Sequence, residues 1–245
     1  MNSSYRRFFL LHLIAIALPC SLFFGPTASI WSRLDISCFR HLNSYVQTRP
    51  IQQIFWSLAN IKITDIFGAT ALLGMFLLYV FETKGNERRK RLAQLLYTLL
   101  WFEISILFCK QLLTPICMHL GWTRHGPSSV LSHVFFLSNV VPWEKIKDSS
   151  LFCFPADHGT IAFQWSAFLW FFAGWQRGIV ACFLSCFLVL PRLISGAHWL
   201  SDVVVGSFSI LLIMLAWAFY SPIYKWTFSF FSMIFRYNPQ PEKES

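Results

Sequence analysis

The chain has 245 residues, of which 56% are hydrophobic and only 13% are charged, and its formal net charge is +9. A soluble domain carries about 25% charged residues, so this composition excludes an ordinary soluble enzyme and favours an integral membrane protein. The excess positive charge lies mainly in short segments between apolar runs, where membrane topology explains it better than nucleic-acid binding does.

Six apolar segments follow one another along the chain. They occupy roughly residues 8–25, 63–82, 92–112, 159–176, 178–193 and 200–223. Between the first and second, a stretch with Trp31 and Trp56 is long enough for a helix on the membrane surface. The later tryptophans are expected to face lipid. They include Trp165, Trp170, Trp175 and Trp217. We expect a single all-α integral-membrane domain over 1–245, a polytopic bundle of about six transmembrane helices.

The placement of lysine and arginine predicts how the bundle is oriented. Residues 84–91 form a dense basic cluster between the second and third segments, so that loop is expected in the cytoplasm. With six spans, the N-terminus, Arg177 and a tail over about 225–245 lie on the same side. The loop 113–158 and the turn near 191–199 then lie together on the outer side. The polar motifs of the chain are therefore expected to meet on one face of the membrane.

The first polar motif is Phe154-Pro-Ala-Asp-His-Gly159, which ends the outer loop just before the fourth apolar segment. His158 would lie in the first helical turn at the membrane surface, where an imidazole can exchange protons near neutral pH. The structural alternative is a plain helix start with Asp157 as its N-cap.

The second polar motif is Arg192-Leu-Ile-Ser-Gly-Ala-His198-Trp-Leu-Ser-Asp202. Polar side chains are costly at membrane depth, so such a cluster indicates function. If the segment is helical, His198 and Asp202 share one face, and the carboxylate can hold one imidazole nitrogen while the other attacks. An arginine, two histidines and a carboxylate on one face suit phosphoryl transfer. The alternative is a helix end whose arginine meets lipid headgroups, with a structural His–Asp pair.

The two motifs resemble the second and third motifs of the type 2 phosphatidic acid phosphatase superfamily, P-S-G-H and S-R-x5-H-x3-D, in order and largely in spacing. The Asp-His-Gly variant and the run from Pro191 to Gly206 are more similar to the lipid A 1-diphosphate synthase branch of that superfamily. The resemblance is strongest over about 150–225 and implies a catalytic core over about 92–223.

The resemblance implies a role for each matched residue. His198 would attack phosphorus and become a phosphohistidine, Asp202 would orient His198, and His158 would protonate the leaving oxygen as a general acid. Arg192 would bind the phosphate oxygens, where charge stabilisation is usually the largest catalytic contribution. The amide of Gly159 would add a further N–H donor to phosphate at the helix start.

The first motif of the superfamily, K-x6-R-P, fits this chain less well. Lys110 is followed by Arg124-His-Gly-Pro127, with 13 residues between the lysine and the arginine. Both are candidate phosphate-binding residues, although Lys110 is also placed to snorkel from the third helix. The roles of Glu103 and Asp157 stay open.

Three further histidines and two cysteines lie in or beside the outer loop. His119, His125 and His133 match no metal-binding spacing, so no metal site is expected. Cys117 and Cys153 flank the loop, and a disulfide between them is left open because sequence does not fix connectivity.

The resemblance implies a phosphotransferase in the cell inner membrane with its active site on the periplasmic side. It would move a phosphoryl group from undecaprenyl diphosphate to the 1-phosphate of lipid A, without a cofactor. Its partners would be a polyprenyl diphosphate donor, lipid A or another lipid phosphate, and membrane lipids, but not nucleic acid.

Two other functions stay open at this point. An undecaprenyl-diphosphate or phosphatidic acid phosphatase shares the first half-reaction and passes the phosphoryl group to water, and no residue in the sequence separates it from the transferase. A non-catalytic lipid-binding or transport protein is the third reading. The intact set of His158, Arg192, His198 and Asp202 argues against it.

Overall fold

A computed structural model describes residues 3–121 and 123–237 of the chain. Within these residues the chain forms α-helices and no β-strand. The helices are α1 Ser3–Cys20, α2 Gly25–Gln47, α3 Pro50–Ala59, α4 Lys62–Phe81, α5 Gly85–Leu107, α6 Thr114–His119, α7 Pro127–Val130, α8 Asp157–Ala173, α9 Trp175–Ser195, α10 Phe208–Tyr220 and α11 Ile223–Ile234. Two π-helical turns, Phe108–Leu113 and Asp202–Ser207, join α5 to α6 and lead into α10.

Each of the six apolar segments lies on a helix, and the all-α, polytopic prediction is confirmed. Within the described residues, four helical stretches are long and apolar enough to cross a membrane. They are Lys62–Phe81, Gly85–His119, Trp175–Ser195 and Asp202–Tyr220. A fifth is added if α1 and α2, which are bent by 76°, are counted as one span. Helix α8 has 17 residues, just short of the about 20 that a span needs. If α8 is counted as a further span, the structure is roughly consistent with the expected count of about six.

Helix α8 is the central helix of the bundle. Its Trp165, Phe168 and Leu169 are buried against α4, α5 and α10. Trp165 is only 4% exposed and its ring contacts Phe76 and Phe102, so the expectation that it faces lipid was wrong. The reason is that α8 is apolar on nearly every face, and such a helix belongs in the middle of a bundle.

The two ends of the bundle have separate polar clusters. At one end, Arg177 of α9 donates to Glu82 at 2.5 Å, and Arg91 lies 3.6 Å from the same carboxylate. At the other end, Arg192 near the end of α9 donates to Asp65 near the start of α4 at 2.5 Å. The two polar motifs converge at this second end of the bundle. The predicted number of spans had placed both motifs on one side of the membrane.

Part of the segment expected as a tail is a helix that packs on the bundle. The ring of Tyr224 on α11 lies 5.6 Å from that of Tyr97 on α5. Residues 238–245 of the expected tail lie outside the described residues. The cytoplasmic location of this end of the chain stays a prediction.

Candidate active site

His198 lies in a turn between α9 and the π-helical turn that begins at Asp202. Gly196 follows α9 with a φ of 84°, the left-handed conformation that commonly ends helices. The amide of His198 then donates back to the carbonyl of Arg192 at 3.2 Å. Because the helix is interrupted here, His198 and Asp202 are not neighbours on one continuous helical face, unlike the arrangement considered from the sequence.

Two glycines let this turn meet the segment after Arg124 backbone to backbone. A Cβ on Gly126 would lie 2.6 Å from the carbonyl oxygen of Gly196. A Cβ on Gly196 would lie 2.9 Å from Phe39 and from Ser128. The amide of Ser128 donates to the carbonyl of Gly196 at 3.3 Å. The turn that bears His198 is therefore positioned by direct main-chain contact.

The imidazole of His198 is 2% exposed, and one of its two nitrogens is held by a hydrogen bond. Its Nδ1 lies 2.8 Å from the main-chain oxygen of Cys153. A carbonyl oxygen only accepts hydrogen bonds, so Nδ1 carries the hydrogen. The Oδ2 atom of Asp202 is 3.8 Å from Nδ1, which is an electrostatic contact rather than a hydrogen bond. The Nε2 atom is buried and has no hydrogen-bond partner among the described residues, so its lone pair is free.

The surroundings of His198 keep its imidazole neutral. Burial, the largest cause, lowers the pKa of His198 to about 4, because the charged imidazolium is disfavoured away from water. The positive charge of Lys147 lowers this pKa further, whereas the hydrogen bond to Cys153 raises it. At neutral pH the ring is therefore in the form that can attack an electrophile.

Asp202 is fully buried and is held by partners other than His198. Its Oδ1 accepts from Arg124 at 2.7 Å, and its Oδ2 accepts from the amide of Trp199 at 2.6 Å. Arg124 also donates to Asp35 of α2 at 2.6 Å. Asp35 in turn accepts from the amide of Ser201 at 2.8 Å. These groups form a closed network that connects α2 to the turn bearing His198.

Arg124 is thus engaged by two carboxylates, rather than presented to an open phosphate site. Its main-chain oxygen accepts from the amide of Cys153 at 3.0 Å, and the carbonyl of Cys153 holds His198. To bind phosphate with these same nitrogens, Arg124 would have to release Asp35 or Asp202. Its contacts in the structure are those of a residue that supports His198, and phosphate binding by Arg124 stays a prediction.

Arg192 approaches the same region from the last turn of α9 and is 4% exposed. Its guanidinium donates to the main-chain oxygen of Asn60 at 2.9 Å, to the side-chain oxygen of Asn60, and to Asp65 at 2.5 Å. Its Nε is buried and has no hydrogen-bond partner among the residues described. One donor of Arg192 is therefore unpaired within the protein, and phosphate binding by Arg192 stays a prediction.

His158 has the opposite environment to His198. Its side chain is 42% exposed, and its Nδ1 lies 2.8 Å from Oδ1 of Asp157. Helix α8 begins at Asp157 with Ala156 as the capping residue, so Asp157 is a partner of the imidazole rather than the N-cap. The carboxylate of Asp157 therefore positions this imidazole through its Nδ1.

The two motifs are packed against each other. The amide of Ala156 donates to the main-chain oxygen of Asp202 at 3.2 Å. A Cβ on Gly159 would lie 2.7 Å from the hydroxyl of Ser207, so α8 and the π-helical turn before α10 are in close contact. The structure therefore places His158 beside the turn of His198, although 39 positions separate them in the sequence.

This arrangement is accompanied by similarity to known proteins. Residues 112–228 of the chain match the PAP2 superfamily. The curated lipid A 1-diphosphate synthase of Escherichia coli (strain K12) is 26% identical over 232 residues, which cover 94% of each protein. No solved structure matches the chain significantly. The superfamily resemblance is thereby confirmed, and the protein is a multi-pass membrane enzyme of the lipid phosphatase and phosphotransferase class.

Within the matched residues 112–228, Lys147 is a charged residue that the motifs did not indicate. Its main-chain oxygen accepts from the hydroxyl of Ser195 at 2.9 Å and from the side-chain amide of Asn60 at 3.4 Å. Asn60 is the residue that holds Arg192. The charge of Lys147 acts on His198, and among the described residues its ammonium has no hydrogen-bond or ion-pair partner. A single lysine in an irregular loop has no sequence pattern that would have identified it.

Lys110, in contrast, lies two residues before the matched interval and is exposed on the π-helical turn Phe108–Leu113. No hydrogen bond or ion pair within the described part of the chain joins it to His158, Arg192 or His198. Glu103 is likewise exposed, on α5. Phosphate binding by Lys110 stays a prediction.

The remaining polar residues of the outer loop do not gather into a site. His119, His125 and His133 are exposed, and no group of three or more His, Cys, Asp or Glu side chains within the described residues is arranged to hold a metal ion. Cys117 and Cys153 are free thiols. The thiol of Cys153 donates to the main-chain oxygen of Arg124 at 2.8 Å.

Proposed function

We propose that the protein is a phosphotransferase that moves a phosphoryl group from undecaprenyl diphosphate to the 1-phosphate of lipid A, on the periplasmic side of the inner membrane. The observation that carries the proposal is the state of His198: buried and neutral, with Nδ1 held by Cys153 and the Nε2 lone pair free. The similarity to a lipid A 1-diphosphate synthase supports the choice of acceptor.

The first half-reaction uses His198 as the nucleophile. Its Nε2 lone pair attacks the terminal phosphorus of the diphosphate and forms an N–P bond, while the bond from that phosphorus to the bridging oxygen breaks. Protonated His158 gives its proton to the departing oxygen. Nδ1 keeps its hydrogen, so the phosphorylated ring is positively charged, and the buried carboxylate of Asp202 at 3.8 Å stabilises it.

The cationic side chains of the site would bind the phosphoryl group itself. The Nε of Arg192 and the ammonium of Lys147 have no hydrogen-bond partner among the described residues. They would bind the equatorial oxygens, whose negative charge must be stabilised as the phosphoryl group moves between oxygen and nitrogen.

The second half-reaction reverses these steps with a new acceptor. An oxygen of the lipid 1-phosphate attacks the phosphohistidine, the N–P bond breaks, and the electron pair returns to Nε2. His158, now neutral, takes the proton from the attacking phosphate hydroxyl. The cycle leaves His198 neutral and His158 protonated, as at the start.

A lipid phosphatase is the second candidate, because His158 is 42% exposed and water has access to it. It shares the first half-reaction and differs only in the group that removes the phosphoryl group from His198. In that case His158 would activate water as a general base.

The deciding experiment follows a radioactive terminal phosphate of undecaprenyl diphosphate in vesicles containing the purified protein. We expect an acid-labile phosphoenzyme in the wild type and none in His198→Ala. Adding lipid A should then transfer the label to lipid A. If free phosphate is the sole product with and without lipid A, the protein is the phosphatase. If the wild type forms no phosphoenzyme, the mechanism through His198 is wrong.

A further inference from the structure

Three buried side chains near the reactive turn each have a polar atom with no hydrogen-bond partner in the part of the chain that the structure describes. They are His198 with Nε2, Arg192 with Nε and Asp148 with Oδ1. The first two are the proposed nucleophile and a predicted phosphate ligand. Asp148 is only 7% exposed and has no part in the reaction steps above. A buried polar atom costs free energy unless another group pairs with it, so the free oxygen of Asp148 requires an explanation.

Asp148 is held by contacts on two sides. Its Oδ2 accepts from the amide of Ser138 at 2.8 Å, in a short 3₁₀ turn. Its main-chain oxygen accepts from the hydroxyl of Ser128 at 2.5 Å, and that hydroxyl oxygen also lies 3.1 Å from the carbonyl oxygen of Gly196. Asp148 is thereby attached to the turn that follows α9. Its Oδ1 is the side-chain oxygen that remains for another group.

The charges around Asp148 are those of the proposed phosphate site. Lys147, the residue before it, places its charge near enough to His198 to lower the pKa of that imidazole. Burial, the largest cause, raises the pKa of Asp148, and the charge of Arg192 lowers it. Nevertheless, no ion pair joins Asp148 to Arg192 within the described chain, because the guanidinium pairs with Asp65. A group bound between the Nε of Arg192 and the Oδ1 of Asp148 would satisfy both.

A phosphoryl group that carries one hydrogen has the chemistry to pair with both atoms. The Nε of Arg192 is a donor, so it binds a charged phosphate oxygen. An ionised carboxylate only accepts hydrogen bonds, so Oδ1 of Asp148 needs a partner that donates. A fully ionised phosphoryl group has only acceptors to offer, and its charge repels the carboxylate. A hydroxyl on phosphorus supplies the missing donor.

We infer that Asp148 accepts a hydrogen bond from the hydroxyl of a protonated phosphoryl group, so that the site selects phosphate that carries a hydrogen. The inference rests on the proposed function, because it takes Arg192 to bind the phosphoryl group. It applies to either lipid substrate, because the recognised group is the P–OH itself. The buried carboxylates of Asp35 and Asp202 are not free for this role, since both oxygens of each already accept hydrogen bonds from protein groups.

Inorganic phosphate and sulfate are matched probes for this selectivity. At about pH 8, well above the pKa of an ordinary carboxyl, both are mainly tetrahedral dianions of similar size, but only phosphate carries a hydrogen. Equilibrium dialysis of the purified protein in detergent against radioactive phosphate or sulfate gives each Kd without any turnover. We expect the wild type to bind phosphate about 10- to 100-fold more tightly than sulfate, which is the loss expected for one hydrogen bond to a charged group.

Asp148→Asn keeps the shape of the side chain and changes what it offers. The amide oxygen would keep the hydrogen bond from Ser138, which turns the NH2 group toward the position of Oδ1. Because an NH2 group donates to either ion, the ratio of the two Kd values should fall to about one. Glu144→Gln removes an exposed carboxylate from the same loop, and this matched control should keep the wild-type ratio.

A third ion tests the wild type alone and so does not depend on the folding of a variant. Phosphite is also a dianion at about pH 8, but its hydrogen is bonded to phosphorus and is no donor to a carboxylate. We expect unlabelled phosphite to compete for the site as weakly as sulfate does. Phosphite that competes as well as phosphate would contradict the role of Asp148.

The remaining results separate the two proposals. Equal binding of phosphate and sulfate by the wild type overturns the role of Asp148, as does failure of the wild type to bind phosphate. A wild-type ratio that persists in Asp148→Asn overturns it too, because the carboxylate would then only hold the amide of Ser138. The phosphohistidine mechanism is judged by the trapped phosphoenzyme. Its absence, with the selectivity for phosphate intact, would refute the proposed function and leave the role of Asp148 standing.

Discussion

The Nδ1 atom of His198 donates to the main-chain oxygen of Cys153 at 2.8 Å, and the carboxylate of Asp202 stands 3.8 Å away from the same nitrogen. A main-chain carbonyl therefore selects the tautomer of the proposed nucleophile. In a triad where a carboxylate has this task, exchanging it for an amide costs about 10⁴ in kcat because the tautomer is lost. Here the tautomer does not depend on Asp202.

Asp202→Asn should accordingly slow phosphoenzyme formation by only about 10- to 100-fold, because electrostatic stabilisation of the charged phosphohistidine is lost while its orientation remains. The measurement is the single-turnover rate with labelled undecaprenyl diphosphate, with His198→Ala as the inactive control. A loss of about 10⁴ would show that Asp202, and not Cys153, sets the tautomer.

The pH dependence of phosphoenzyme formation should reflect the burial of His198. Its pKa of about 4 in the folded protein lies below the ordinary value of 6.5, so attack should decline on the acid side only near pH 4.

The same pKa affects the stability of the fold. Between pH 4 and pH 6.5, the unfolded chain binds more protons than the folded one. The stability contributed by neutral His198 is therefore complete above pH 6.5 and is lost as the pH falls toward 4. The rate and the unfolding midpoint are both measured across this range, and an acid limb at 6.5 would contradict the assignment.

Lys147→Met should raise the KM for undecaprenyl diphosphate about tenfold, because one charge-assisted bond to the phosphoryl oxygens is removed. It should also move the acid limb of the pH profile upward, since the charge of Lys147 lowers the pKa of His198. Lys145→Met is the matched control, on the same loop and exposed. If both variants behave alike, Lys147 is not a phosphate ligand.

The Asp35–Arg124 pair is tested by a double-mutant cycle with Asp35→Asn and Arg124→Gln. Each single change should lower the free energy of unfolding by about 2 to 4 kcal/mol, toward the lower part of the range for a broken buried pair because Arg124 is 32% exposed. The double variant should lose less than the sum, since both changes remove the same interaction.

The same variants separate the two roles considered for Arg124. If Arg124 only supports the turn of His198, both changes should lower kcat and leave the KM for undecaprenyl diphosphate nearly unchanged. A rise in that KM in Arg124→Gln, without one in Asp35→Asn, would instead identify Arg124 as a phosphate ligand.

Much of the bundle could be predicted from the sequence because its signals are local. A run of apolar residues predicts a helix wherever it occurs, and the number of such runs between His158 and His198 placed both at the same end of the bundle. The end of helix α9 at Gly196 was harder to predict, because a glycine within a helical pattern does not by itself indicate where the helix ends.

The contacts that hold Arg124, Arg192 and His198 in place could not be predicted from the sequence, for two physical reasons. Asp35 and Asp65 meet Arg124 and Arg192 across 89 and 127 positions of the chain, and no periodic pattern encodes such a pairing. The acceptor that holds His198 is the main-chain oxygen of Cys153. Every residue has such an oxygen, so the contact requires no particular side chain and cannot be recognised in the sequence.

The backbone contact between the reactive turn and the segment after Arg124 has a consequence for how this enzyme tolerates change. At Gly126 and Gly196 the requirement is that no side chain be present, because a Cβ would lie within 3 Å of its neighbours. Contacts made by main-chain atoms place few demands on the residues around them. The geometry at the histidine is thus insulated from substitutions of the side chains around the turn.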